Sequence, residues 1–316
     1  MSRAVPDSRT GPRHAATTGT EAGSPGSGNS PRGEPMPRRR PPGPLAAAVA
    51  LLLLLPAGPA AAQDEPIELA DDPFEITDPI AARPGEVELS IAGFHERARR
   101  GRYRGTTGSE VEMEAGVAPR LEFRVGQGGA YGNLETRRRL DAAGEEAGER
   151  PVWGGTTRVG ALYQLGSGRG AWPAIGLLGR VQTIYGPGRP SYEAEAIALI
   201  GKTLRRGRGG LPLGVHLNLG LVNRFDPLPE ERANRLFFNL SVGQAVTRDT
   251  AVVLSYAQEQ QERGQGDYRL VQAGLRHRLA GSGTVLGLAF GTGVGRDSPR
   301  FQLAFAVGFS LATGGW

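Results

Sequence analysis

The stretch that decides the fold is Phe301-Gln302-Leu303-Ala304-Phe305-Ala306-Val307-Gly308-Phe309-Ser310-Leu311. Large apolar residues occupy every odd position of this stretch, and small or polar residues occupy every even position. Because successive side chains of a β-strand point to opposite faces, this period of two predicts a strand with one apolar face. A strand of this kind is typical of the lipid-facing wall of an outer-membrane barrel.

Eleven earlier segments show the same alternation, some of them more weakly. With the segment above they give twelve predicted strands: Glu86–Phe94, Val111–Ala118, Arg120–Val125, Thr156–Leu165, Trp172–Ile184, Tyr192–Leu204, Leu213–Val222, Arg235–Val246, Thr250–Gln261, Tyr268–Leu279, Thr284–Gly291 and Phe301–Leu311. Tight links and longer polar links broadly alternate between them, as periplasmic turns and outer loops do in membrane barrels. Two links depart from this trend, a long one at Arg205–Pro212 and a short one at Gly186–Ser191.

We therefore predict an all-β fold, a transmembrane antiparallel up-and-down β-barrel of about 12 strands, over residues 85–316, with the last strand closing against the first. A soluble sandwich or a lipocalin-like barrel is the alternative, and in that case the large residues would point inward.

The first part of the chain has the features of an export signal. Arg38-Arg39-Arg40 precedes an apolar run, Leu45–Leu55, and the small residues Ala60-Ala61-Ala62 follow. This order predicts a signal peptide over residues 36–62, cleaved near Ala62-Gln63, with a membrane anchor as the alternative. Residues 1–35 are predicted to be disordered or to precede the true start, because Met36 stands just before the arginines.

Residues 63–84 are acidic and rich in proline. This composition predicts a mobile periplasmic tail. A short plug inside the barrel is the alternative interpretation of the same segment.

Composition removes several functional classes. The chain has no cysteine, which excludes disulfides and thiol chemistry. Most of the net charge of +5 comes from the arginines of residues 1–62, so the rest is close to neutral. A nucleic-acid partner is not expected, since it requires a segregated basic patch. The four histidines are too scattered to predict a metal site, and no cofactor is expected.

Charged and polar residues on the inward faces of the predicted strands are candidates for lining the lumen. Charges of both signs facing one channel either bind a polar solute or pair and fill the interior. The candidates are Glu88, Glu112, Glu114, Arg120, Glu122, Arg124, Arg158, His216, Asn218, Asn239, Arg276 and Arg278.

A hydrolase site is a further hypothesis, although we do not expect an enzyme. If the seventh and eighth strands form a symmetric hairpin, His216 lies opposite Ser241 and Asn218 lies opposite Asn239. A base beside a hydroxyl can activate it as a nucleophile.

Two motifs point to partners. Gly308-Phe309-Ser310-Leu311 has the glycine–aromatic–any–aliphatic order of a C-terminal assembly signal, which predicts Gly308, Phe309 and Leu311 as contacts for the barrel-assembly machinery. The basic stretch Arg97–Arg104 is a candidate for binding lipopolysaccharide phosphates, with a solvated loop as the alternative.

The strand–turn–strand Glu114–Phe123, the hairpin around Thr247–Thr250 and the closing strand together resemble the transporter-like outer-membrane family associated with the meta-pathway of phenol degradation. The resemblance covers roughly Pro84 to Leu311 and implies passage of small hydrophobic compounds. We therefore expect a passive outer-membrane channel for small, hydrophobic or aromatic molecules. A closed structural or surface-interaction barrel is the alternative, and a lipid hydrolase using His216 and Ser241 is a third.

Overall fold

The computed structural model describes residues 67–101, 103–132, 134, 151–168, 170–186, 189–206, 210–229, 231–280 and 282–312. The predicted signal peptide and the segment before it lie outside the described residues. Within the described part of the chain, no helix is long and apolar enough to cross a membrane.

Twelve antiparallel strands in the described residues form one closed barrel in which each strand pairs with its neighbours in sequence. This confirms the predicted fold class. The strands are β1 (Glu86–Arg97), β2 (Gly105–Ala118), β3 (Leu121–Gly132), β4 (Val152–Ser167), β5 (Ala174–Tyr185), β6 (Ser191–Arg206), β7 (Pro212–Phe225), β8 (Asn234–Ala245), β9 (Thr250–Glu259), β10 (Tyr268–Arg278), β11 (Thr284–Gly293) and β12 (Phe301–Ala312).

The barrel closes where β12 pairs with β1. The register runs without interruption from Glu86 opposite Ala312 to Arg97 opposite Phe301. This confirms the predicted contact between the last and first strands. The stretch proposed as an assembly signal, Gly308–Leu311, lies in this seam, and its role in assembly stays a prediction.

The two ends of the barrel differ in the length of their connections. We call the end with short connections the turn end and the end with longer connections the loop end. At the turn end, β2 and β3 are joined by residues 119–120 and β8 and β9 by residues 246–249. At the loop end, β3 and β4 are joined by residues 133–151, and β9 and β10 by residues 260–267. β2 and β3 extend further toward the loop end than predicted, because glycine-rich segments such as residues 126–129 still pair through their backbones.

The outer surface of the wall carries the large apolar side chains. Leu254, Phe290 and Phe305 are about half exposed, whereas the inward Val253, Ala289 and Ala304 are buried. Large residues therefore point outward, which is the arrangement predicted for a lipid-facing barrel and the opposite of a soluble one.

Residues 67–84 lie inside the lumen and are called the plug segment below. Its apolar side chains pack against the inner wall in three clusters. Phe74 and Ile76 contact the β9, β11 and β12 side, Ala81 contacts the β4–β6 side, and Ile67 and Leu69 contact the β8–β9 side. The expectation of a mobile periplasmic tail is wrong for these residues. The plug alternative describes them, since the apolar residues spaced through the acidic stretch bury themselves in the lumen.

The plug segment crosses the lumen near the turn end and is attached at both sides. At one side the Ile67 N–H donates to the Arg248 carbonyl over 2.9 Å. At the other side the Gly85 N–H donates to the Gly116 carbonyl over 3.0 Å, and the Ala82 N–H donates to Glu122 Oε2 over 2.8 Å. The backbone groups of the segment thus use the wall as a partner, as buried backbone requires.

The wall accommodates the plug segment through six inward glycines, which we call the glycine bed. A Cβ built on Gly116 would lie 2.0 Å from the Arg83 carbonyl oxygen, and one on Gly287 would lie 2.3 Å from Pro73 Cδ. A Cβ on Gly243 would lie 2.7 Å from Leu69 Cβ. The full set is Gly116, Gly176, Gly201, Gly214, Gly243 and Gly287. Any side chain at the closest of these positions would push the segment away from the wall.

Gly116→Ala is expected to unseat the Arg83 side of the plug segment and to lower the free energy of unfolding by about 1–3 kcal/mol, the usual cost of overpacking. Urea unfolding in detergent measures the stability, and proteinase K cleavage within residues 67–82, read by mass spectrometry, measures the unseating. Gly129→Ala is the matched control on β3, because a Cβ there has no atom within 4 Å. Equal effects of the two substitutions would contradict the assigned contact.

Candidate functional site

A cavity of about 800 Å³ occupies the lumen between the plug segment and the loop end. Its floor is formed by plug residues Asp71–Thr77. Arg189, Leu228 and Gln265, all in connections at the loop end, also line it. The cavity therefore runs from the outer loops down to the plug segment.

The charged wall of the lumen begins near the turn end with a cluster around Arg124. Its Nε lies 2.5 Å from Glu122, and its Nη1 lies 2.7 Å from Glu114 and 3.4 Å from Glu112. These four residues were all predicted to line the lumen, and the structure brings them together. Glu122 also accepts the hydrogen bond from the plug segment at Ala82, so the cluster helps to hold the plug.

Further ion pairs continue the charged wall toward the loop end. Arg158 on β4 pairs with Glu110 on β2, and Arg180 on β5 pairs with Glu195 on β6. Gln182 donates to both Glu193 and Glu195. Glu110 was not predicted because β2 begins earlier than the expected strand Val111–Ala118. Arg180, Gln182, Glu193 and Glu195 were not predicted because β5 and β6 alternate weakly in hydrophobicity. The available signal for their inward placement was the spacing of two residues between Arg180 and Gln182 and between Glu193 and Glu195.

A second cluster closes the charged wall at the loop end. Arg224 on β7 contacts Glu193 at 2.8 Å, Glu231 at 3.3 Å and Glu262 at 2.6 Å. Arg235 on β8 shares Glu193 at 2.8 Å. Since Glu231 and Glu262 lie in two different loops, this cluster fixes both loops to the strands below them.

The opposite wall, formed by β9–β12, is lined mainly by small or uncharged residues. Val253, Ala257, Leu270, Ala289 and Ala304 are buried there. Ser255, Gln272 and Gln302 are linked to one another by hydrogen bonds of 3.1 and 2.8 Å. The lumen therefore has one charged side and one nearly uncharged side.

Two inward aromatic rings also line the cavity. Phe94 on β1 lies over Gly108, and Phe237 on β8 lies over Gly220, where a Cβ would meet the rings at 2.5 and 2.1 Å. Neither ring was predicted to face inward. Each occupies the space left by a glycine on the neighbouring strand, and this pairing is visible only when the register is known.

His216 and Asn218 on β7 were predicted to line the lumen, and the structure places both against the plug segment. His216 Nε2 lies 3.6 Å from Asp78 Oδ2. The terminal amide atoms of Asn218 lie 2.7 and 3.1 Å from the backbone N and O of Thr77. Both side chains are buried and hold the plug.

The strands have the register that the hydrolase hypothesis requires, but the histidine and serine side chains do not form the hydrogen bond that it requires. His216 is paired with Ser241 across the β7–β8 hairpin, and Asn218 is paired with Asn239. However, His216 Nδ1 and Ser241 Oγ both lack a hydrogen-bond partner among the described residues. The histidine is therefore not placed to activate the hydroxyl, as nucleophilic catalysis would need.

The remaining residues that were predicted to line the lumen lie at three different places. Glu88, Asn239 and Arg276 line the cavity, and Arg276 donates to the Glu68 carbonyl of the plug segment over 3.2 Å. Arg278 lies on the inward face at the turn end, 3.9 Å from Asp249. The placement of Arg120 in the lumen is wrong. It is the exposed second residue of the two-residue β2–β3 turn, with φ of +68°, so it has left the strand alternation.

The fold has known counterparts. An outer-membrane channel from Pseudomonas putida F1 aligns with a TM-score of 0.52 at 11% identity, over 77% of this chain and 100% of that chain. The β domain of the Bordetella autotransporter BrkA gives 0.45 at 12% identity, over 72% and 99%. The toluene transporter TbuX of Ralstonia pickettii gives 0.39 at 11%, over 81% and 94%. At 11% identity the likeness to the Pseudomonas putida channel shows the fold alone, a closed barrel of the outer-membrane type.

No protein-family model matches the sequence, and no curated protein does. The resemblance to the phenol meta-pathway family therefore stays a prediction.

Replacing Arg124 by Met is expected to lower the free energy of unfolding by about 3 kcal/mol, because it leaves three largely buried carboxylates without their cation. Urea unfolding in detergent is the measurement. Arg189→Met is the control with the same change of charge. The Arg189–Asp226 pair is more than half exposed, so its loss should cost less than about 1 kcal/mol. Equal losses would show that the Arg124 cluster contributes no more than a surface ion pair.

Proposed function

We propose that the protein is an outer-membrane channel for small molecules that is closed at its periplasmic end by its own plug segment. The barrel spans the membrane with the turn end in the periplasm and the loop end outside. The observation that carries the proposal is the cavity that extends from the outer loops to the plug segment.

The lining supports a solute that is small and partly apolar. Phe94, Phe237 and the plug residue Phe74 offer ring contacts, and the β9–β12 wall offers small uncharged side chains. The paired charges on the other wall offer polar contacts and, being of both signs, favour neither cations nor anions. Small aromatic or hydrophobic molecules, including those with one polar group, fit this lining.

The plug segment also favours a second candidate function, a closed barrel that transports nothing. Its three apolar clusters and its wall contacts fill the lumen at the turn end. The two candidates differ in whether the plug segment leaves the glycine bed in the working protein.

A removable lock on the plug segment separates the two candidates. Leu69 Cβ lies 2.7 Å from the position of a Cβ on Gly243, and a disulfide places two Cβ atoms about 3.8 Å apart, so Leu69→Cys with Gly243→Cys can cross-link after a shift of about 1 Å. The chain has no other cysteine. In planar bilayers, a channel should give current steps in the reduced double variant and lose them on oxidation.

The single variant Leu69→Cys is the control and should conduct under both conditions. Absence of current steps from the unmodified protein and from the reduced variant, together with steps from a variant lacking residues 67–82, would establish the closed barrel instead.

A further inference from the structure

Six exposed arginines form a basic patch at the loop end, around the seam where the barrel closes. Four come from the end of β1 and the loop that follows it, and two come from the loop before β12. They are Arg97, Arg99, Arg100, Arg104, Arg296 and Arg300. Only the first loop is recognisable as a basic stretch in the sequence, and the second joins it only when β12 pairs with β1.

The two loops are connected by one backbone hydrogen bond and one side-chain hydrogen bond. The Arg300 N–H donates to the Arg97 carbonyl over 2.6 Å, and the Arg99 guanidinium donates to the Gly293 carbonyl over 2.6 Å. Within the first loop, the Ala98 N–H donates to the Arg104 carbonyl over 2.6 Å. The arginines are therefore carried by a hydrogen-bonded framework rather than by two independent loops.

The arginines of this patch lack carboxylate partners in the part of the chain that the structure describes. Among the described residues, no ion pair joins any of the six arginines to a carboxylate, whereas Arg124, Arg158, Arg180, Arg224 and Arg235 in the lumen are all paired. The one carboxylate in the two loops, Asp297, accepts a hydrogen bond from the Gly266 N–H. Guanidinium groups carried on two joined loops repel one another, and a multiply charged anion relieves that repulsion.

The surface directly below the patch is apolar and faces outward. Arg97 lies opposite Phe301 in the register, on the same outward face of the sheet as His95. Phe301 packs on His95 and Phe290, with ring centroids 6.0 and 6.5 Å apart. Phe290, Leu303 and Phe305 continue this face, each about half exposed. Aromatic side chains of this kind mark the boundary between hydrocarbon and headgroups in membrane barrels.

From this arrangement we infer that the patch binds the phosphorylated lipid A of lipopolysaccharide. The arginines contact its phosphates, and the aromatic face below them contacts its acyl chains. Lipid A carries phosphates at the level of the headgroups and acyl chains below them, so it matches both the arginines and the aromatic face. A free phosphate matches only the arginines. The inference rests on the membrane placement in the proposed function, and it does not depend on transport.

Native mass spectrometry of the detergent-solubilised protein tests the inference by titration with lipid A carrying both phosphates. The variant Arg97→Gln/Arg100→Gln/Arg300→Gln should raise the dissociation constant by at least about tenfold, since each basic group near an anionic surface contributes appreciably. The control Arg189→Gln/Arg263→Gln/Arg269→Gln removes the same charge at the same end. It should change the constant by less than about threefold, because Arg189 and Arg269 are already paired with carboxylates.

Two further titrations use the unmodified protein and so do not depend on the folding of a variant. Lipid A without phosphates and phosphatidylglycerol should each bind at least about tenfold more weakly than the doubly phosphorylated lipid. Equal binding of phosphatidylglycerol, displacement by inorganic phosphate at the same concentration, or equal loss in the two triple variants would overturn the inference. Failure of the channel in bilayers with lipid A binding intact would remove only the proposed transport. Absence of heat-modifiable gel migration would remove the membrane placement itself.

Discussion

The unbroken hydrogen-bond ladder between β1 and β12 is the constraint on which the rest of the structure depends. Hydrocarbon offers no partner to a free backbone N–H or carbonyl, so a sheet in a membrane must have no edge. Closing the ladder over the whole of both strands fixes the total stagger around the ring, to which the registers of all the other pairs must add up. The register then decides which side chains face lipid and which face the lumen, and it brings two distant loops together above the seam.

A ring of twelve strands encloses more space than its own inward side chains fill, and the chain deals with this space in two ways. Near the turn end the wall combines inward glycines with the charged Arg124 cluster, and the plug segment supplies the missing apolar volume. Nearer the loop end the space is left open and the inward charges neutralise one another across neighbouring strands. The first arrangement resembles the core of a soluble protein, whereas the second resembles a water-filled channel.

Much of the barrel could be predicted from the sequence, because a strand between lipid and lumen must alternate. The closing strand, the pairing of the last strand with the first, and the Arg124 cluster all follow from a period of two. The prediction failed for Arg120, where a two-residue turn interrupts that period. It also missed Arg180, Glu193 and Glu195, whose strands alternate too weakly in hydrophobicity for their faces to be assigned.

The plug segment was expected first as a periplasmic tail, with a plug only as the alternative, for a different reason. Its acidic, proline-rich composition is that of a solvated tail, and only the apolar residues Ile67, Leu69, Phe74 and Ile76 within it indicate burial. The wall beneath the segment carries glycines on six different strands, and these lie against Leu69, Pro73, Pro79 and Arg83 of the segment. A glycine in a strand gives no hydrophobic alternation that would assign it to a face. The fit between the plug segment and these glycines can therefore be recognised only when the strands are placed around the closed barrel.

The plug segment continues directly into β1, and the connection is short. The Glu86 N–H donates to the Arg83 carbonyl over 2.9 Å, and only Pro84 and Gly85 lie between these residues. A segment held this closely returns to its site as an intramolecular event, at an effective concentration on the order of millimolar. In the proposed channel, a solute that displaces the plug segment would therefore have to bind well or be abundant. The covalent connection, as much as the contacts of the plug, would set the solute concentration at which such a channel opens.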